Sequence, residues 1–373
     1  MHRLIDSHHS RHSRRTTAWC HGRPWLLFTL ASTLAGCVSK QSLGTSSVTL
    51  LGPGVINDPK NKSLRVDILK FGLESFCSEM MTRGVALKVS EDHPVAGRFF
   101  ARDCKSDVLD DDSKPTFNVK FSGSGYVWAN VTRRVGFEIL GAVELLPDFQ
   151  IAEDKSMYVY FRSRKVETTQ MKVTLVESNA VRAVTNLTHI DADRVAREVF
   201  EAQVGRGFTV IRANESGQID YSVGLLPVGK RPFHPFTVSS ESPVVANERT
   251  EVHSDQQDYI GGLVVDGNDK ALSIVLLVDG APSVNYAVIS GTAATQMVDR
   301  YVRVAGVTAF AEPPRFTQNV PYGALYRQTV PVPAGNYVLL LEHAGGPGTT
   351  DSSRLSDDRA AKVDYFVEVV DAP

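Results

Sequence analysis

The sequence has no excess of charge of either sign, few cysteines and no long hydrophobic run. It contains 40 lysine and arginine residues against 42 aspartate and glutamate residues, which gives a formal net charge of −2. A near-neutral chain gives no electrostatic reason to expect nucleic-acid binding, so we predict no nucleic-acid partner. No apolar stretch reaches the roughly 18 residues that a membrane-spanning helix needs. Hydrophobic residues make up 42% of the 373 positions, which is typical of a globular chain rather than a disordered one.

Sequence signatures of catalysis are also lacking. The chain has no G-x-S-x-G elbow, no H-E-x-x-H pair, no phosphate-binding loop and no dinucleotide fingerprint. Its histidines are scattered, and the acidic runs at 107–112 and 266–269 do not follow the order of an EF-hand loop. Solvated turns are the simpler interpretation of both runs, and calcium loops are the alternative. We therefore predict no enzyme activity, no metal site and no cofactor.

The first 36 residues have the pattern of an export signal. Arginines dominate the beginning, and an apolar run follows from residue 25 to residue 35. This run is too short to cross a hydrocarbon core of about 30 Å, but it suits the middle part of a signal peptide. The last two residues of this run and the two that follow it, Leu34-Ala35-Gly36-Cys37, resemble a bacterial lipobox.

The resemblance to bacterial lipoproteins implies a specific modification. In that family the cysteine thiol takes a diacylglycerol, the signal is cleaved before it, and the new amine is acylated. Cys37 is thereby the expected lipidation site, and the membrane is the expected partner through a lipid anchor. In many diderm bacteria an aspartate directly after the lipidated cysteine retains a lipoprotein in the inner membrane. This chain has Val38 at that position. The expected location is therefore the cell envelope, at the outer membrane. A plain secretory signal with a coincidental cysteine is the alternative.

Two cysteines remain for the folded part of the chain. Cys20 lies in the predicted signal and Cys37 is the expected lipidation site, which leaves Cys77 and Cys104. An even pair in an oxidising compartment predicts a disulfide bond. Two unpaired buried thiols are the alternative, whereas a zinc site would need further ligands.

Patterning predicts two helices and many strands. Apolar residues three and four apart predict a helix that includes Phe76, and a second helix begins near Asp191 and ends at Gly205. Short β-branched and aromatic runs predict strands between the helices and after the second one. The resulting segments are a signal peptide (1–36), a flexible tether (37–62), an α+β domain (63–230), a proline-rich linker (231–243) and a β-sandwich domain (244–373).

The predicted fold class is α+β. An N-terminal antiparallel sheet with two helices is followed by a C-terminal all-β sandwich that resembles a jelly roll. The proline-rich linker is expected to be exposed, and each side has enough apolar strands to build its own core. One continuous sheet shared across the linker is the alternative.

One helix carries candidate ligand-binding residues. Phe76, Met80 and Met81 recur at helical spacing on a face that would cover a curved sheet. Core packing is the simpler explanation, and a hydrophobe-binding pocket is the alternative. We therefore predict a membrane-anchored envelope lipoprotein with a non-catalytic binding or structural role, whose partner is an envelope protein, a glycan or a lipid. A lipid- or hydrophobe-binding lipoprotein that uses the N-terminal domain is the first alternative function, and an envelope hydrolase is the second.

Overall fold

The structure is a computed structural model, and the chain that it describes is mostly β, with antiparallel sheets of which one is curled. The described residues are 3–5, 58–61, 63–64, 76–88, 93–109, 116–129, 132–154, 156–181, 183, 192–212, 219–238, 244–343 and 360–373. The expected lipidation site Cys37 lies outside them, as does most of the predicted signal peptide and tether. None of the described helices is both long enough and apolar enough to cross a membrane.

The helices with described bounds are α1 (Phe76–Arg83), α2 (Ala192–Gly205) and α3 (Gly291–Tyr301). The described strands, in chain order, are β1 (Arg3–Ile5), β2 (Val85–Leu87), β3 (Gly97–Leu109), β4 (Thr116–Ala129), β5 (Arg133–Ile151), β6 (Met157–Val176), β7 (Phe208–Arg212), β8 (Ile219–Val223), β9 (Phe236–Val238), β10 (Val244–Val252), β11 (Gln257–Val265), β12 (Lys270–Asp279), β13 (Ser283–Ser290), β14 (Phe316–Pro321), β15 (Leu325–Pro331), β16 (Gly335–Glu342) and β17 (Ala361–Asp371).

Strands β2 to β8 form a seven-stranded antiparallel sheet in which neighbours in the chain are neighbours in space. Its central strands, β5 and β6, are 19 and 20 residues long, and their pairing register shifts at three places. Such irregularities bend a strand and increase its twist, which accounts for the curl of this sheet. Along β4 the alternate residues Phe117, Val119 and Phe121 are buried, so one face of the sheet carries the core.

Helices α1 and α2 pack on that apolar face. The ring of Phe76 lies 5.3 Å from the ring of Phe117, and Phe200 of α2 lies 6.2 Å from Phe121. A disulfide bond between Cys77 and Cys104 joins α1 to β3, which confirms the pairing predicted from the sequence. The second helix ends at Gly205 as predicted. The two helices thus cover the apolar face of the curled sheet, and the disulfide bond fixes α1 to this sheet.

The C-terminal strands form two four-stranded antiparallel sheets, in the orders β10-β17-β12-β15 and β11-β16-β13-β14. One apolar core lies between them, with fully buried residues from both, among them Leu263, Leu272, Leu339 and Val363. Helix α3 packs on the other side of the second sheet, where Met297 and Tyr301 meet Leu340 and Tyr126 of β4. Strand β4 belongs to the curled sheet, so α3 lies at the contact between the two parts of the molecule.

The contact between the two parts is close. A Cβ atom at Gly136 of β5 would lie only 2.0 Å from the carbonyl oxygen of Val302, at the end of α3. Among the described strands no sheet continues from one part into the other, although Val95 and Thr250 form an isolated bridge. The parts therefore meet through side chains, loops and the backbone hydrogen bonds of Val95 with β10, and the predicted domain boundaries stay predictions.

The proline-rich linker is less exposed than the sequence predicts. Pro232, Pro235 and Phe236 are buried. The Phe236 side chain packs with Val275 and Phe366 on the outer face of the first C-terminal sheet, and its strand β9 pairs in parallel with β1. The expectation of an exposed linker is wrong at these three positions, and Phe236 is buried because it covers apolar surface of this sheet.

Candidate functional site

An apolar cavity of about 260 Å³ lies between helices α1 and α2 and the curled sheet. Helix α1 contributes Phe76 and Met80 to its wall, and helix α2 contributes Phe200 and Val204. The sheet supplies a floor of buried apolar side chains, namely Phe99, Val119, Phe121, Val143 and Leu145. The wall is therefore built from aliphatic and aromatic groups, as in most pockets for small apolar ligands.

The cavity extends to the contact with the C-terminal part of the chain. Pro232 and Phe233 of the linker and residues 244–248 of β10 complete the wall on that side. Six ionisable residues also line the cavity: Arg83, Lys88, Arg98, Asp220, His234 and Glu248. The site thus combines an apolar interior with charged groups at its border.

Two of the three candidate residues predicted from the sequence line this cavity. Phe76 and Met80 are four residues apart, so they lie on the same face of α1 and point toward the sheet. Met81 is 42% exposed and does not line the cavity, since successive helical residues point about 100° apart. The disulfide bond at Cys77 holds the helix in this position.

A buried ion pair links the two parts of the chain next to the cavity. The guanidinium of Arg98 on β3 donates from Nε and Nη2 to the two carboxylate oxygens of Asp258 on β11, at 2.8 and 3.0 Å. The side chains of both residues are about 95% buried, with exposures of 4% and 5%. The hydroxyl of Tyr126 donates a further hydrogen bond of 2.7 Å to Asp258. This bidentate geometry is the strongest arrangement of an arginine and a carboxylate.

The network continues toward the cavity wall. Arg98 also donates to the hydroxyl of Tyr365 at 2.9 Å, and that hydroxyl donates to Glu248 at 2.6 Å. Burial by itself raises the pKa of Glu248, but the charges of Lys88 and Arg98 and the hydrogen bond from Tyr365 hold it below its ordinary value. The pKa of Asp258 is likewise raised by burial and lowered further by Arg98. Both carboxylates are therefore ionised at neutral pH.

A second buried cation fixes the C-terminal end of α3. Arg134 of β5 is fully buried and donates to Glu177 at 3.2 Å and to the carbonyl oxygen of Val304 at 2.7 Å. Its guanidinium lies 3.6 Å from the ring centroid of Tyr301. These contacts again join the curled sheet to the C-terminal part, so Arg134 has a structural role.

Little in the sequence indicates this polar network. Arg98 and Asp258 are separated by 160 residues, and neither belongs to a recognisable motif. The one local signal is that Arg98 lies between Gly97 and Phe99, in a strand that is otherwise apolar at this end. Asp258 likewise precedes the apolar run of β11, and a charge in such a position is buried only with a partner.

The described residues contain no cluster of three or more histidine, cysteine or acidic side chains that could hold a metal ion. Residues 110–112 of the first acidic run lie outside the described part of the chain.

No protein-family model matches the chain, and a search of curated proteins found none with significant sequence similarity. The geometry of the cavity and its border is therefore the basis for assigning a function.

Proposed function

We propose that this protein is an envelope lipoprotein, anchored through Cys37, that binds an apolar ligand in the cavity beneath α1 and α2. The observation that carries this proposal is the cavity of about 260 Å³ lined by Phe76 and Met80. It favours the hydrophobe-binding alternative over a purely structural role. Among the partners that the sequence predicts, a lipid fits this cavity best, because a glycan or an envelope protein would not need an apolar interior.

The size of the cavity argues against ordinary core packing. Protein cores contain few voids larger than a water molecule, whose share of liquid volume is about 30 Å³. The cavity is partly open to solvent, so an apolar ligand would bury apolar wall that is otherwise exposed to water. The volume is slightly below the range of about 300–1,000 Å³ for drug-sized ligands, so it suits a single acyl chain.

We infer that the N-terminal part is an α+β domain and that strands β10 to β17 form a jelly-roll sandwich. Successive strands alternate between the two C-terminal sheets, except for the neighbours β13 and β14. This alternation is the reason for the assignment, since a jelly roll winds its chain repeatedly from one sheet to the other.

Filling the cavity should abolish ligand binding. Val143 is 5% exposed and lines the cavity, so Val143→Phe would place a ring in the space that a ligand would occupy. We expect at least a tenfold loss of affinity for a neutral hydrophobic probe, N-phenyl-1-naphthylamine, measured by its fluorescence. Both this variant and its control carry Cys37→Ala, so that no attached acyl chain competes for the site.

Val264→Phe is the matched control, because Val264 is 49% exposed and does not line the cavity. It makes the same chemical change and should leave binding of the probe intact. Equal affinities of the two variants, with both folded by circular dichroism, would contradict the proposed site. Native mass spectrometry of the protein from the cell should in addition show co-purified lipid, and less of it with Val143→Phe.

The lipid anchor is tested separately. We expect Cys37→Ala to release the protein from the membrane fraction, because the acyl chains contribute about 0.8 kcal/mol for each buried methylene group. Cell fractionation followed by a high-salt wash measures this release. Cys20→Ser is the control, since Cys20 precedes the predicted cleavage position. A Cys37→Ala protein that stays with the washed membranes would show that the resemblance to a lipobox is coincidental.

A further inference from the structure

We propose that the ligand of the cavity is an amphiphile with one acyl chain and an acidic headgroup, and that Lys88 binds this headgroup. This inference rests on the proposed function, since it assigns the chemical class of the ligand for the same cavity. It is carried by the position of the largely buried Lys88 side chain at the wall of a space whose interior is apolar.

Lys88 follows β2 directly and lines the cavity. Its side chain is only 8% exposed, and its ammonium lies 3.9 Å from the nearest carboxylate oxygen of Glu248. That distance permits electrostatic attraction but is too long for a hydrogen bond. An ammonium group has three donors, and an anion in the cavity would give them a charge-assisted partner. Lys88 lines the cavity, so it is placed to bind such an anion.

The acidic groups at the same border have closer partners than Lys88. Glu248 accepts a hydrogen bond of 2.6 Å from Tyr365. Asp220 lies 3.2 Å from a guanidinium nitrogen of Arg231 and 3.2 Å from a ring nitrogen of His234. Arg98, another cation of the wall, forms its ion pair with Asp258. These pairings leave the Lys88 ammonium as the cation of the wall best placed to accept an additional anion.

Arg83 adds positive charge on the same side. Its guanidinium donates to the carbonyl oxygen of Val245 at 3.4 Å, three residues before the Glu248 that faces Lys88. Both cations thus contact β10 and both line the cavity. Three cations line the wall, Arg83, Lys88 and Arg98, against the two carboxylates of Asp220 and Glu248, so the wall attracts an anion more than a cation. An uncharged headgroup would leave the Lys88 donors unused. A carboxylate or phosphate would form a charge-assisted hydrogen bond, while its acyl chain occupied the apolar interior near Phe76 and Met80.

The test compares headgroups on one chain length. Dodecanoate, dodecyl phosphate, dodecanol and dodecylamine would each displace N-phenyl-1-naphthylamine from the full chain carrying Cys37→Ala. We expect each acidic ligand to bind at least tenfold more tightly than dodecanol, and dodecylamine to bind most weakly. The relative order of dodecanoate and dodecyl phosphate identifies which acidic headgroup the site prefers.

Two variants attribute this preference to Lys88. In Lys88→Met, which keeps an unbranched apolar side chain, we expect the acidic ligands to fall to the affinity of dodecanol while dodecanol itself is unchanged. Lys88→Arg should retain the preference. Equal binding of the acidic ligands and dodecanol by the protein with Lys88 in place would overturn this inference. A preference for acidic ligands that persists in Lys88→Met would also overturn it. Failure of every ligand and of the probe to bind would instead overturn the proposed function. If Lys88→Met does not fold, the comparison of headgroups with Lys88 in place still decides.

Discussion

Replacing Asp258 with Asn is expected to lower the free energy of unfolding by about 3–5 kcal/mol, because it leaves the buried Arg98 without its counter-charge. The Arg98 side chain is 4% exposed, and its Nε and one of its Nη atoms donate to this carboxylate. An asparagine keeps the size of the side chain but offers one acceptor oxygen and no charge. Urea unfolding of the full chain, followed by circular dichroism, measures the change.

An exposed ion pair provides the matched control. The side chains of Lys165 and Glu167 are 64% and 60% exposed and lie 3.0 Å apart. Glu167→Gln makes the corresponding change from acid to amide, and it should alter stability by no more than about 0.5 kcal/mol. A loss for Asp258→Asn as small as this would show that the ion pair between the two parts of the chain is not important for folding.

The same variant should change the response to acid. Burial raises the pKa of Asp258, but Arg98 and the hydrogen bonds to the carboxylate lower it more, so its pKa in the folded protein is below the ordinary value. A carboxylate of this kind adds stability above its unfolded pKa of about 3.9, and that stability is lost as the pH falls through the folded pKa. The wild-type chain should therefore lose stability below about pH 4, and Asp258→Asn should lose less in the same range.

The position of this ion pair also bears on the independence of the two parts. Arg98 belongs to the curled sheet and Asp258 to the C-terminal sheets, so each part alone would bury an unpaired charge or expose it to water. Arg102 and Asp299, and Arg303 and Glu138, form further ion pairs across the same contact. We infer that the two parts are coupled energetically although their sheets are separate.

The sequence predicted best what depends on local pattern. The second helix was expected from near Asp191 to Gly205, and the structure describes it as Ala192–Gly205. The disulfide bond followed from the number of cysteines and the expected compartment. The apolar runs at 157–161 and 171–176 predict two separate strands, and this is wrong, because both belong to the single strand β6. The residues between them are largely polar and exposed, so they carry no apolar signal, while the backbone pairing with β5 continues.

The sequence could not predict what depends on distant parts of the chain meeting. The cavity exists because the sheet curls beneath α1 and α2, and neither the curl nor the remaining volume is encoded in a local pattern. The burial of Phe236 depends on Phe366, which lies on the last strand. Lys88 is an ordinary lysine in the sequence, and its burial beside Glu248 brings together residues separated by 160 positions. Position in the fold, rather than residue type, makes these groups candidates for function.

Removing the disulfide bond is expected to destabilise the protein and to impair ligand binding together. Cys77 and Cys104 are 27 residues apart, and the chain-entropy model gives about 3.5 kcal/mol for a loop of this length. The bond fixes α1, which supplies Phe76 and Met80 to the cavity wall. In the double variant Cys77→Ser and Cys104→Ser, we therefore expect a loss of stability of this size in urea unfolding, and weaker binding of N-phenyl-1-naphthylamine.

A reducing agent separates the effect of the bond from the effect of the substitutions. Dithiothreitol should lower the stability and the probe affinity of the wild-type protein toward those of the double variant, and it should leave the double variant unchanged. If the bond served folding alone, the double variant would lose stability but would bind the probe normally at low temperature, where most molecules are folded. Reduced affinity of the folded double variant would instead show that the position of α1 sets the shape of the cavity, because the strands of the floor keep their backbone pairing with one another.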